Sequence, residues 1–215
     1  MKILALAASG IGAAALFTAP VLFAQSGDLP GQMDPSLVSA GTYSLDPAHT
    51  LVVWEVSHFG FNDYFGLFGD IEGTMNLDPS DISATELEIM IPIAQVTVAS
   101  DDLKDHLLRP AEDGGSPDFF GPEPGMATFT SSQVRRTSDT TAQVMGTLEM
   151  NGRSGPVTLD VELAGAGANP MSEAMTVGFH ATTTIDRTQW GVDYGQGLIG
   201  NDVDLEISAA FEMQE

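Results

Sequence analysis

The sequence predicts an all-β protein, an antiparallel barrel of about eight strands with one short helical insertion. Three observations predict it. Apolar residues recur at every second position through most of the chain beyond Gly41, which places alternate side chains on opposite faces of a strand. Turn-forming phrases separate most of these runs: LDPS at 77–80, NGRSGP at 151–156 and GAGANP at 165–170. Only one segment carries good helix start and stop signals. Many strands, each with one apolar face, make a sandwich or a closed barrel.

Taken in order, residues 1–24 place Lys2 before an apolar stretch that ends on the small residue Ala24, the pattern of a cleaved signal peptide. Its small residues and Pro20 make it a poor bilayer-spanning helix. Residues 25–40, QSGDLPGQMDPSLVSA, lack periodicity and read as a flexible leader to a single domain over 41–215. A strand at 50–58 carries Trp54, Val56 and His58 on one face. In YFGLFGDIEGTMNL, Phe65, Leu67, Ile71, Gly73, Met75 and Leu77 share the apolar face, opposed by Asp70, Glu72 and Asn76. Alternation returns at 87–91. The helix follows in VASDDLKDHLLRP, where Ser100 can cap, Asp101 and Asp102 occupy the first turn and Pro110 stops it. A loop with adjacent Phe119 and Phe120 comes next; an exposed aromatic pair there would be odd, so both are expected to pack into a barrel mouth. The remaining strands fit 126–134 with Phe129, 141–150, 157–163, 175–181 with Phe179, and 203–211.

Composition narrows the function. With 30 acidic and 7 basic residues the net charge is −23, a surface that repels phosphate backbones and anionic headgroups. Nucleic acid and stable membrane insertion are therefore not expected. With 0 Cys, stability must come from a core. GQGLIG at 195–200 matches a dinucleotide fingerprint, but that motif must open a helix, and the following NDVDLEIS reads as a strand. His49 falls in a turn where its ring can bond backbone, and Asp102 with His106 can share a helix face. Nothing gives catalytic acid–base or metal-ligand spacing, so no catalytic residue, metal or catalytic cofactor is expected.

A long barrel, apolar inside and acidic outside, needs filling, either by side chains or by one ligand. The chain also resembles the YceI-like family in ordered phrases: YSLDPAHT, GLFGDIEGTMNLDP, DHLLRP, DFF, ATFTSSQV, GTLEMNGRSGPVTLDVEL, HATTTIDRTQWG and GLIGNDVDLEI. It departs from the family where PAEDGGSPD intervenes before the Phe pair and where Pro124 is the nearest proline before the next strand. The resemblance implies a lipocalin-like barrel, a periplasmic location, a long apolar lipid in the interior (a polyisoprenoid or isoprenoid quinone, with a fatty acid derivative as an alternative), and a homodimer as an option. The residues expected to line the lipid site are Trp54, Val56, His58, Phe65, Leu67, Ile71, Gly73, Met75, Phe119, Phe120, Phe129 and Phe179. A leucine at Gly73 should then enter the tube. A ligand-free stress or interaction barrel and an enzyme acting on an apolar substrate are the alternatives.

Overall fold

The computed structural model describes residues 29–214; the expected signal peptide lies outside them. The strands are β1 (Gly41–Leu45), β2 (Leu51–His58), β3 (Asn62–Phe68), β4 (Glu72–Leu77), β5 (Glu86–Pro92), β6 (Met126–Arg136), β7 (Thr141–Met150), β8 (Arg153–Ala168), β9 (Met175–Asp186) and β10 (Ile199–Met213), with one α-helix, α1 (Asp101–Leu108). The order around the sheet is β1-β4-β5-β6-β7-β8-β9-β10-β2-β3, and β1 also pairs with β10, which closes an antiparallel barrel.

Ten segments make eight staves because two staves are broken. Both β1 and β2 run along β10, through Leu45↔Phe211 and Leu51↔Ser208, and the corner between them is held by Asp46 N–H donating to the Ala210 carbonyl at 2.8 Å. The second broken stave is β3 with β4, paired to β2 and β1 respectively. Its break corrects the sequence reading. Asp70 sits at φ +52°, so the alternation restarts between Phe68 and Ile71, an odd step apart. A one-residue change of phase moves every side chain of a strand to the other face. Tyr64, Gly66 and Phe68 therefore face inward, whereas Phe65 is 54% exposed and Leu67 lies on the outside.

The helix begins as expected, with the Ser100 hydroxyl accepting from Leu103 N–H at 3.3 Å. It stands where the barrel wall is thinnest. Beyond β5 the backbone pairs with β3 through the isolated Leu67–Thr97 bridge, at 2.9 and 2.8 Å, and α1 with the following loop packs where the ladder between β3 and β6 is incomplete. The loop is tied to the helix by Phe120 N–H donating to the Leu107 carbonyl at 3.0 Å.

In the described part of the leader, Gln32 exchanges two backbone hydrogen bonds with Ala166 of β8, at 3.0 and 2.8 Å, and Pro35–Leu37 form a 3-10 turn. That stretch is therefore pinned to the barrel. The acids expected to face water do so: Asp70, Glu72, Glu86, Glu88, Asp160, Glu162, Asp202, Asp204 and Glu206 are all exposed.

Candidate functional site

Inward residues of the staves enclose a lumen along the barrel axis. On β10 it runs from Val203 to Phe211, roughly 26 Å along the strand at about 3.3 Å per residue and about 20 Å along the axis for the usual strand tilt of about 40°. Two chambers divide it. One, of about 190 Å³, is walled by aliphatic side chains such as Leu77, Leu87, Val144, Val161 and Ala209, with Phe179 and Phe211 edge to face at its side. The other, of about 490 Å³, is walled by Trp54, Tyr64, Phe68, Phe119, Phe120 and Tyr194, among others. Val52 and Ile91 line both, so the chambers meet at their level.

One large ring is buried between the two chambers. Phe129 is 6% exposed and lies between Ala127, on the aromatic chamber, and Val134, on the aliphatic one. Its ring rests directly on Gly146 of the neighbouring strand, where a Cβ would overlap it. A glycine there leaves the room that the large ring takes up.

The aromatic chamber also holds polar groups. His58 stands on the wall beside Trp54 and Val56, and Trp54 stacks on Tyr64 with ring centroids 6.3 Å apart. Trp54 Nε1 is buried and has no hydrogen-bond partner among the described residues. His106, from α1, is gripped by the edges of Phe119 and Tyr194, and its Nε2 lies 2.7 Å from Asp118 Oδ2. Arg109 Nη2 donates to the same oxygen at 2.6 Å. The bonds from His106 and then Arg109 hold the Asp118 carboxyl below the usual range, and the bond to Asp118 raises the Arg109 guanidinium. This cluster ties helix to loop. Asp102, which can share a helix face with His106, does not pair with it; the ring bonds Asp118 instead. His49 likewise bonds a carboxylate, Asp46, at 2.6 Å.

Arg187 frames the same end from below. It is 5% exposed and donates to four carbonyls: Val192 at 2.6 Å, Gly200 at 2.7 Å, Tyr194 at 3.0 Å and Ile199 at 3.2 Å. One side chain thus fixes the loop from 192 to 200, whose Gly195 and Gly197 at positive φ lead into β10 and not into a helix. Burial lowers the Arg187 guanidinium from its ordinary value.

Of the expected site residues, Trp54, Val56, His58, Phe119 and Phe120 line the aromatic chamber, Ile71, Met75 and Phe179 line the aliphatic one, and Phe129 is buried between Ala127 and Val134 without lining either. Phe65 and Leu67 face away, for the reason given above. Gly73 is on the inward face, but a Cβ there would meet Glu88 O and Ile89 Cδ1 at 2.6 Å. It is a point of close strand approach, so a leucine would push the wall apart before reaching the lumen. Tyr64, Leu103, Arg187 and Tyr194 were missed. For Tyr64 the Gly69-Asp70 pair, a turn signal inside a strand run, was the available clue.

Among the described residues no group of three or more His, Asp or Glu side chains is arranged to hold a metal, and no helix is long and apolar enough to cross a membrane.

A family profile described as a YceI-like domain matches residues 43–211. A protein of Pseudomonas putida named UPF0312 is 30% identical over 184 residues, covering 80% of this chain and 90% of the relative. A UPF0312 protein of Staphylococcus epidermidis is 26% identical over 178 residues, covering 80% and 97%. Among solved structures, Burkholderia cenocepacia BcnA superposes with a TM-score of 0.65 at 20% identity, covering 77% of this chain and 98% of that one. A polyisoprenoid binding domain from Saccharophagus degradans superposes with a TM-score of 0.54 at 16% identity, covering 80% and 98%.

Proposed function

The chain belongs to the YceI-like family, and from that premise we propose that it is an exported, periplasmic binding protein that holds one long apolar lipid of the polyisoprenoid or isoprenoid quinone class inside its barrel. The observation that carries the reading is the lumen itself. It is a mostly apolar tube of about 20 Å along the barrel axis, walled mainly by aliphatic side chains in one chamber and by aromatic rings with His58 and His106 in the other. A chain-shaped ligand with one polar end matches that gradient. The name of the Saccharophagus degradans domain points the same way.

Energetics favour binding without chemistry. Each buried methylene is worth about 0.8 kcal/mol, so some 20 carbons contribute on the order of 16 kcal/mol before ordering costs. The wall supplies that by apolar contact alone, and the reading assigns no residue a catalytic role. The tail occupies the aliphatic chamber and passes Phe129; the headgroup lies among Trp54, His58 and His106.

The test is a titration of delipidated protein with decaprenol and with a long-chain ubiquinone, followed by quenching of tryptophan emission, with Trp54→Phe as the control. The proposal expects saturable quenching at one ligand per chain that falls sharply in the control. Emission indifferent to both ligands would refute it.

A further inference from the structure

The β2–β3 turn is built against local preference. Phe59 is at φ +55° and Gly60 at φ +69°, with Phe61 N–H donating to the His58 carbonyl at 3.1 Å. Turns with two central residues at positive φ favour Asn-Gly or Asp-Gly, and a bulky side chain in that region is an outlier that marks functional sites. The strained position holds an aromatic ring outward. Phe59 is 47% and Phe61 90% exposed. Next to them, joined by Phe59 N–H donating to the Leu198 carbonyl at 2.8 Å, Leu198 is 59% exposed, and Tyr194 on the same loop is 42% exposed. This apolar tip continues into the lumen, because Phe59 and Tyr194 also wall the aromatic chamber.

We propose that this tip, Phe59, Phe61, Leu198 and Tyr194, docks on the surface of a neutral, zwitterionic lipid bilayer and sets the mouth of the aromatic chamber against the membrane from which the ligand is drawn. The inference rests on the lipid-binding reading above. Two features select that occupant. At roughly 200 Å² per aromatic side chain the exposed part of the tip is on the order of 400–500 Å², short of the about 800 Å² per partner of a stable protein interface, and aromatic rings at such a tip suit the bilayer interface. Behind the tip, Glu55, Asp63, Asp202 and Asp204 line an acidic cleft that Phe59 and Leu198 border. These carboxylates, with the net charge of −23, repel an anionic surface, so the headgroups met must be neutral overall. Docking is shallow, since the tip is a few side chains deep and the acidic cleft that Phe59 and Leu198 border opposes further burial.

The experiment places a tryptophan on the tip, Phe61→Trp, and mixes the protein with vesicles of brominated phosphatidylcholine. Emission above the wild-type background of Trp54 and Trp190 should be quenched, and mixing phosphatidylglycerol into the vesicles should weaken the effect. A Phe61→Ser/Leu198→Ser double variant, at positions outside the lumen wall, should slow uptake of ubiquinone from phosphatidylcholine vesicles by about tenfold or more, while the lipid held at equilibrium per chain stays the same. Absence of quenching, or unchanged uptake in the double variant, overturns the docking surface. So does a concentration-dependent doubling of mass that the double variant abolishes while vesicle quenching of Phe61→Trp is missing, which would make the occupant a second copy. Quenching without uptake in any form sustains the docking surface and sinks the lipid-binding reading instead.

Discussion

The two ends of the lumen are built by different means. At the aliphatic end the wall is strand ladder, β1 pairs with both β4 and β10, and the lining is mostly Val, Leu, Ile, Ala and Met with the Phe179–Phe211 pair, the polar residues being Thr50, Thr85 and those of the 136–141 turn. At the aromatic end the ladder runs out between β3 and β6, and the space is filled by α1, the 109–125 loop and the 187–198 loop. Those segments are held by polar side chains: Asp118 between His106 and Arg109, and Arg187 on four carbonyls. The difference teaches a division of labour. Regular pairing makes a rigid sleeve that recognises nothing but apolar volume, whereas irregular segments bring aromatic and polar groups to a mouth that can open locally, since such segments have few ladder bonds to break.

The largest expected effect falls on the polar scaffold. Arg187→Met removes the donors of four carbonyls, each of which costs about 1–3 kcal/mol when buried and unpaired, so urea unfolding should show a loss of about 3 kcal/mol or more. Arg187→Lys should not restore it, because an ammonium cannot span the fork. A shift within about 0.5 kcal/mol would mean that the mouth does not depend on this residue.

Bulk added to the sleeve should act on ligand and not on fold. Ala209→Leu and Ala142→Leu each extend a side chain into the aliphatic chamber. The account expects folded protein whose co-purified lipid falls about tenfold. If the chamber is a packed core, both variants lose about 1–3 kcal/mol instead and have no lipid to lose.

A smaller effect is expected at the plug. Asp118→Asn weakens the grip on His106 and Arg109, so ligand exchange should become several-fold faster while the sleeve variants leave the exchange rate alone. The Asp118 carboxyl is depressed in the fold, so its stabilising contribution is present above the ordinary carboxylate value of about 3.9 and disappears as pH falls through the lower folded value. Melting curves of wild type and Asp118→Asn should therefore differ at neutral pH and converge in acid. Curves that stay parallel in acid would remove Asp118 from the role.

The smallest effect is general. The exposed acids repel one another, and salt should raise stability gently between about 10 mM and 1 M, where the Debye length falls from roughly 30 Å to 3 Å. A flat response would mean that bound cations already compensate the charge.

The same division explains what the sequence made legible. Period-two alternation reports a sleeve directly, because a strand with one face in an apolar lumen must alternate. Hence the barrel, the outward acids, and Ile71, Met75 and Phe179 could be read from their own neighbours. The helix was legible from its Ser100 cap and Pro110 stop. At the mouth Trp54, Val56 and His58 were legible from the same alternation and Phe119 and Phe120 from their apolarity, but the polar scaffold was not, because its contacts join separate segments: Asp118 with His106, Arg187 with Gly200, Tyr194 with Phe119. No local period encodes them. Phe65 and Leu67 were misplaced by a single left-handed residue, Asp70, that changed the phase of a run otherwise perfect for one strand. Gly73 was read as free space, whereas it is a contact between strands.

The central claim is that the sleeve is filled by one lipid chain. Protein purified from the cells that make it, washed free of detergent and extracted with organic solvent, can be assayed by mass spectrometry against the amount of protein extracted. The account expects a long-chain polyisoprenoid or isoprenoid quinone near one per barrel in the wild type and about a tenth of that in Ala209→Leu. An extract with no long-chain lipid from the wild type, or equal amounts from both proteins, would contradict it.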